Sequence, residues 1–159
     1  MAMTKALDRF REAARVQNLD PQIRRFPEGT KTAADAALAI GCNVGQIVKS
    51  LVFMADGEPV LALTSGANRV DTGALAIACG AVEVRRATPE EAREATGFAV
   101  GGTPPFGHPR PLRSFLDEDL RALEEVWAAA GTPDSVFPLS PAELLRVSGA
   151  HPVAIAERR

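Results

Sequence analysis

The sequence predicts a mixed α/β fold, and three observations predict it. Strand-type and helix-type segments mix along the 159 residues without strict alternation. Thr88-Pro89-Glu90-Glu91 and Ser140-Pro141-Ala142-Glu143 are both capping boxes with proline at the first helical position. Asp56-Gly57 lies between two apolar runs, which is a hairpin signal. No GxGxxG follows a strand, so a dinucleotide-binding fold is not expected.

The elements follow in order. Thr4 to Gln17 reads as a helix, with Leu7, Phe10 and Ala14 on one face, ended by Asp20-Pro21. Ile23 to Phe26 is a short strand. Thr32 caps an alanine-rich helix that stops at Gly41. Val48 to Met54 and Pro59 to Thr64 form the hairpin. Asp71 caps a helix that runs to Cys79 and closes at Gly80. Val82 to Arg86 is a strand, and the helix opened by Thr88 ends at Gly97. Phe98 to Val100 leads into a loop, and Leu112 to Leu116 is a further strand. Leu120 to Ala130 scores as helix by propensity. Ser140 opens a helix to Ser148, ended by Gly149, and Pro152 to Ala156 is a last strand.

Composition narrows the classes. The length suits a single domain, residues 1–159, with one good core. Hydrophobic residues make up 46%, and the formal net charge is −2, a soluble globular profile. No apolar run approaches the roughly 20 residues a membrane span needs. The first residues lack the apolar core of a signal peptide. Cys42 and Cys79 are isolated, without metal spacing, and read as buried small hydrophobes in a reduced, cytoplasmic setting. Arg24-Arg25, Arg85-Arg86, and Arg110 with Arg113 are local basic pairs that read as solvated faces. The charge balance does not announce nucleic-acid binding.

Two segments carry chemistry. Ile47-Val48-Lys49-Ser50-Leu51-Val52-Phe53-Met54 is a strand with a lysine in its middle. Lys49 shares a face with Ile47, Leu51 and Phe53, where an ammonium is costly unless it is paired or reaches a solvated cleft. An edge-strand or snorkelling lysine is the alternative reading. Val100-Gly101-Gly102-Thr103-Pro104-Pro105-Phe106-Gly107-His108-Pro109 is a rigid Gly/Pro loop. Such a loop can present backbone N–H groups to an anion or a developing oxyanion, or simply connect two strands. There is no GxSxG and no Ser/His/Asp set. His151 reads as surface, and His108 is placed to reach a cleft or to stay on the loop surface.

Together these segments resemble the YbaK/ProX family of aminoacyl-tRNA editing proteins. The resemblance runs over nearly the whole chain. It includes the Lys49 strand, Ala99-Val100-Gly101-Gly102-Thr103-Pro104, Leu116-Asp117, and Val136-Phe137-Pro138-Leu139-Ser140-Pro141-Ala142-Glu143-Leu144. It implies a curved, barrel-like mixed sheet of about six or seven strands flanked by helices. It also implies that Val126 to Ala129 is a strand paired with Val136 to Leu139.

The implied activity is hydrolysis of mischarged tRNA in trans, with no cofactor or metal. The acceptor end of tRNA is the implied partner, with prolyl-tRNA synthetase as a second and neither DNA nor membrane involved. An aminoacyl ester is already activated and has a ribose hydroxyl beside it, so positioning and oxyanion stabilisation can suffice. Lys49 matches the family's essential lysine, and Gly101 and Gly102 match its glycine loop. Phe26, Ser50, Ser65, Asn68, Thr103, His108 and Val136 fall where substrate contacts are expected. Ser50 faces away from Lys49 on an ideal strand. Phe26 replaces a tyrosine of some members, and Val136 replaces the acidic residue of the cysteine-specific ones. The sequence alone does not decide whether Asp134, two residues earlier, takes that role. The rival class is a non-catalytic module that binds the aminoacyl-adenosine end or a synthetase.

Overall fold

The computed structural model describes residues 2–26 and 32–158. Helix α1 (Ala2–Val16) buries the stripe Leu7, Phe10 and Ala14. Strand β1 (Arg24–Arg25) keeps only the middle of the run expected at Ile23 to Phe26. Helix α2 (Ala33–Ile40) starts where the Thr32 side chain accepts the Asp35 N–H, and stops at Gly41 with φ 88°.

Strands β2 (Val48–Ala55) and β3 (Glu58–Ser65) are joined by Asp56 at φ 49° and Gly57 at φ 85°. Two successive positive φ values are what a two-residue hairpin of type I′ requires. Helix α3 (Thr72–Cys79) is capped by Asp71, whose carboxylate accepts the Ala74 N–H. Strand β4 (Val84–Arg86) and helix α4 (Pro89–Thr96) follow, the latter with its capping box intact. Strand β5 (Arg113–Asp117), strand β6 (Val126–Ala129), strand β7 (Ser135–Leu139), helix α5 (Pro141–Ser148) and strand β8 (His151–Val153) complete the described chain.

The segment with helical propensity resolves as the resemblance implied. A 3₁₀ turn covers Glu118–Ala122, and β6 then pairs antiparallel with β7. Val126, Trp127 and Ala128 are all buried, so pairing and burial override the local preference.

Five strands form one sheet in the order β4-β2-β3-β5-β8, and three form another in the order β1-β7-β6. β5 runs parallel to β3, and β8 parallel to β5. A parallel bridge between Ile47 and Trp127 joins the two sheets. The result is barrel-like but not a closed barrel. The described residues hold eight strands against the about six or seven that the resemblance implies, three of them, β1, β4 and β8, no longer than three residues.

The larger sheet has a core on each face. Val48 and Val52 pack with α1, Leu61, Leu63 and Phe137. Phe53 and Ala55 pack on the other side with Leu75 and Cys79 of α3 and with Phe115. A third cluster, Ala36, Ala37, Ile47, Trp127 and Val136, fills the junction of the sheets.

Candidate active site

Strand β4 pairs with β2 only from Phe53 to Ala55. The half of β2 that carries Lys49 and Ser50 therefore has no β4 neighbour. A cavity of about 600 Å³ opens along this uncovered edge. The small side chains of Ala33, Ala34 and Ala36 on α2 leave the space, and Trp127, Ala129, Ser135 and Val136 of the smaller sheet also line it, beside the Ile47–Trp127 bridge. Val100, Gly101, Thr103 and Pro133 form one wall, with Arg86 and Ala87 beside them.

The cavity meets β2 at its edge rather than on one face. That is why Lys49 and Ser50, which alternate on the strand, both line it. Lys49 is half-buried, and its Nζ donates to the main-chain carbonyl of Asn68 at 2.8 Å. Burial holds its ammonium below the usual lysine range; Arg86 and Arg69 push the same way, and Asp117 opposes them. Ser50 Oγ is buried without a hydrogen-bond partner among the described residues, as is Thr64 Oγ1 directly across from Lys49.

The glycine loop is built differently. The Gly102 N–H donates to the Ala99 carbonyl at 3.0 Å, and Gly101 has φ +88°. This is a turn whose third residue needs the left-handed region. The Gly101 N–H makes no hydrogen bond within the described residues, whereas that of Gly102 is used in the turn. A Cβ on Gly102 would stand 2.8 Å from the Thr132 backbone, so the loop touches the β6–β7 turn main chain to main chain. That turn is tied internally. Thr132 Oγ1 lies 2.6 Å from both Asp134 Oδ1 and Ser135 Oγ, and Arg25 reaches Asp134 at 3.1 Å. Thr103 is buried, with its hydroxyl donating to Ala99 at 3.3 Å.

Of the residues singled out in the sequence, Lys49, Ser50, Gly101, Thr103 and Val136 line one cavity. Gly102 stands behind Gly101. Ser65 Oγ donates to the Gly45 carbonyl at 2.8 Å and serves the strand end. Asn68 receives Lys49 with its carbonyl, and its amide donates to Asp117 and Asp119, each at 2.8 Å. Phe26 packs on the outer side of the Trp127 and Val136 cluster, under the Arg24 guanidinium.

His108 does not reach the cavity. It lies in a groove beside α1, its Nε2 is 2.9 Å from the Pro104 carbonyl, and burial lowers its pKa. The carboxylate of Asp134 is turned to Thr132 and Arg25. Arg86, Asp117 and Trp127 are the residues that sequence reasoning gave no role here. Asp117 had a signal, a charge ending an apolar strand. Among the described residues no group of three His, Cys, Asp or Glu could hold a metal ion, and no helix is long and apolar enough to cross a membrane.

This geometry can be set beside known proteins. The model of the aminoacyl-tRNA editing domain matches residues 27–147. The chain belongs to the aminoacyl-tRNA editing domain family. A crystal structure described as "a putative trans-editing enzyme for prolyl tRNA synthetase" superposes with a TM-score of 0.91 at 45% identity, covering 96% of this chain and 98% of the other. The crystal structure of hypothetical protein APE2540 superposes with a TM-score of 0.86 at 26% identity, covering 94% and 99%. Uncharacterized protein YwhH of Bacillus subtilis (strain 168) is 31% identical over 132 residues, 82% of this chain and 83% of its own length. The proline–tRNA ligase of Nitratidesulfovibrio vulgaris (strain DP4) is 36% identical over 92 residues, 58% of this chain. The chain spans 16% of that ligase's length. The editing domain's mixed α/β fold, and kinship with a segment of proline–tRNA ligases, are therefore established for this chain.

Proposed function

We propose that this protein is a cytoplasmic hydrolase, acting in trans, that removes a small wrong amino acid, alanine, cysteine or one of similar size, from proline tRNA. The observation that carries the reading is that Lys49 and Gly101, whose N–H makes no hydrogen bond within the described residues, line one mostly apolar cavity. An ammonium can hold a phosphate or the substrate carbonyl, and a free backbone amide can receive a developing oxyanion. The ester carbon takes up water, the oxyanion forms beside Gly101, and collapse breaks the bond to the ribose oxygen. The water's proton passes to that oxygen, with the neighbouring ribose hydroxyl as its path. Free amino acid and uncharged tRNA are released. Only the acceptor end need be gripped, which agrees with a net charge of −2. Prolyl-tRNA synthetase is the partner that would supply the mischarged tRNA.

Selection rests on fit. Val136 offers no charge to an acyl side chain, and the bulk of Trp127 and Val136 limits the room beside it. Proline's ring adds bulk and fixes the amine, tilting the ester away from Gly101. A displacement of about 1 Å can cost roughly a hundredfold. Deacylation of alanyl-, cysteinyl-, seryl-, 2-aminobutyryl- and prolyl-tRNA, measured side by side, tests this. Small mischarged esters are expected to turn over faster than the prolyl ester. Faster prolyl hydrolysis overturns the selectivity. Binding without hydrolysis of any ester replaces the enzyme with a binding module.

A further inference from the structure

Lys49 is a half-buried cation whose nearest partner is not a carboxylate but the Asn68 carbonyl. That carbonyl sits in the turn between β3 and α3, and the turn is held from below and behind. Below it, the single Asn68 amide nitrogen donates to Asp117 Oδ2 and Asp119 Oδ2, both at 2.8 Å. Asp117 is fully buried at the end of β5, and its carboxylate also accepts the Ser65 N–H at 3.2 Å and the Asp119 N–H at 3.0 Å. Behind it, the last described residues run along the turn. Val70 bridges Ala156, the Asp71 N–H donates to the Ile155 carbonyl at 2.7 Å, and the Glu157 N–H donates to the Arg69 carbonyl at 2.8 Å. Arg158 then closes on Asp119 at 3.2 and 3.3 Å.

We infer that Asp117 and the Asn68 amide are positioning residues for the Lys49 ammonium, and that the Ile155–Arg158 segment is the clasp that keeps their turn in place. The arrangement puts negative charge near Lys49 at one remove, with a neutral amide between. A direct carboxylate pair would draw the ammonium away from the substrate. A carbonyl uses one of its three hydrogens and leaves two for a ligand. The charged groups that act on Lys49 come from three elements: Arg86 at the end of β4, Arg69 in the turn, and Asp117 at the end of β5. Asp117 is the one that favours the ammonium. The inference rests on the proposed deacylase reading only for its kinetic arm.

The test pairs two variants with two readouts. Asp117→Asn keeps the shape of the buried side chain and removes its charge. Asn68→Ala cuts the tie on a half-buried turn residue, and remains informative if the first variant fails to fold. The first readout is the pH dependence of Lys49 modification by an amine-acylating reagent, followed by peptide mass spectrometry, and it needs no tRNA. Loss of the Asp117 charge should move the reactive, neutral amine to lower pH. The second is deacylation of alanyl-tRNA. Each variant should lose about tenfold or more in kcat/KM, as for a hydrogen bond to a charged group. The loss should disappear when the same change is made in Lys49→Ala, since nothing remains to position. An unmoved labelling curve in both folded variants overturns the inference. So does an equal further loss on top of Lys49→Ala. A shifted labelling curve with no hydrolysis of any ester supports the positioning and removes the deacylase reading.

Discussion

The two walls of the cavity are held by different forces. On the β2 wall, Lys49 reaches the site through side-chain and charge contacts: the Asn68 carbonyl, the Asp117 carboxylate behind it, and the nearby Arg86 and Arg69. On the glycine wall, Gly101 is presented by backbone alone, a turn closed at Ala99 and pressed against the main chain of Thr132. Hydrogen-bonded charges tolerate small shifts and lose function by degrees. Backbone contacts have no slack, because neither partner has a rotamer to change. Damage to the glycine wall should therefore strike stability and activity together, and damage to the lysine wall should separate them.

The largest effect is expected at Gly102. An alanine there puts its Cβ 2.8 Å from Thr132 backbone atoms, and the obstacle is main chain. Overpacking of this kind costs about 1–3 kcal/mol. The turn must move, and Gly101 with it, so deacylation should fall by about a hundredfold or more. Thermal melts and single-turnover rates on the same preparation measure both. A variant as stable and active as the parent would mean that the wall has the slack denied to it here.

Lys49→Met is the matching break on the other wall. Loss of a charge-assisted contact of about 1.5–3 kcal/mol corresponds to a fall of about 10- to 100-fold in rate. Stability should hold or rise. The folded protein lowers the pKa of Lys49, so the protonated form is disfavoured relative to the unfolded chain. The parent should thus gain stability as pH rises through the lowered folded pKa toward the ordinary lysine value, and Lys49→Met should lack that segment of the curve. Denaturant unfolding across neutral to alkaline pH reads it directly. A methionine variant that is less stable at neutral pH would show that the ammonium supports the fold.

The same contrast explains what could be read in the sequence. The Asp56-Gly57 hairpin, the two capping boxes and the glycine helix stops were legible because each is a short-range pattern with its own chemistry. Lys49 stood out because a charge among bulky apolar residues is a local conflict. Its support was hidden. Asn68 lies 19 residues from Lys49 and 49 from Asp117 along the chain, and the parallel placement of β5 beside β3 that joins them has no periodic signature. The loop glycines were legible as a pair, but their unequal use was not. Which amide closes the turn depends on dihedrals that residue names do not carry. His108 was open to two readings until the loop's turn at Gly107, φ +87°, laid it beside α1.

The smallest effect is expected where the glycine wall itself uses a charge. Arg25 meets Asp134 at the back of the β6–β7 turn, and its side chain is 48% exposed. Burial pushes the Asp134 carboxyl up, but the Thr132 hydroxyl and the Arg25 guanidinium outweigh it and hold the pKa below the usual carboxylate range. The stability this brings is complete above the unfolded pKa and is lost as pH falls through the lowered folded value. Arg25→Ala removes only the exposed partner and leaves the Thr132 hydroxyl in place. It should cost no more than about 1 kcal/mol, measured near neutral pH in low salt, and less in high salt. The difference from the parent should vanish in acid, where Asp134 is protonated in both proteins. Deacylation should not change, because the Gly102 contact is with the Thr132 main chain. If Arg25→Ala slows deacylation without lowering stability, the glycine wall is tuned by charge as the lysine wall is, and the division between the two walls fails.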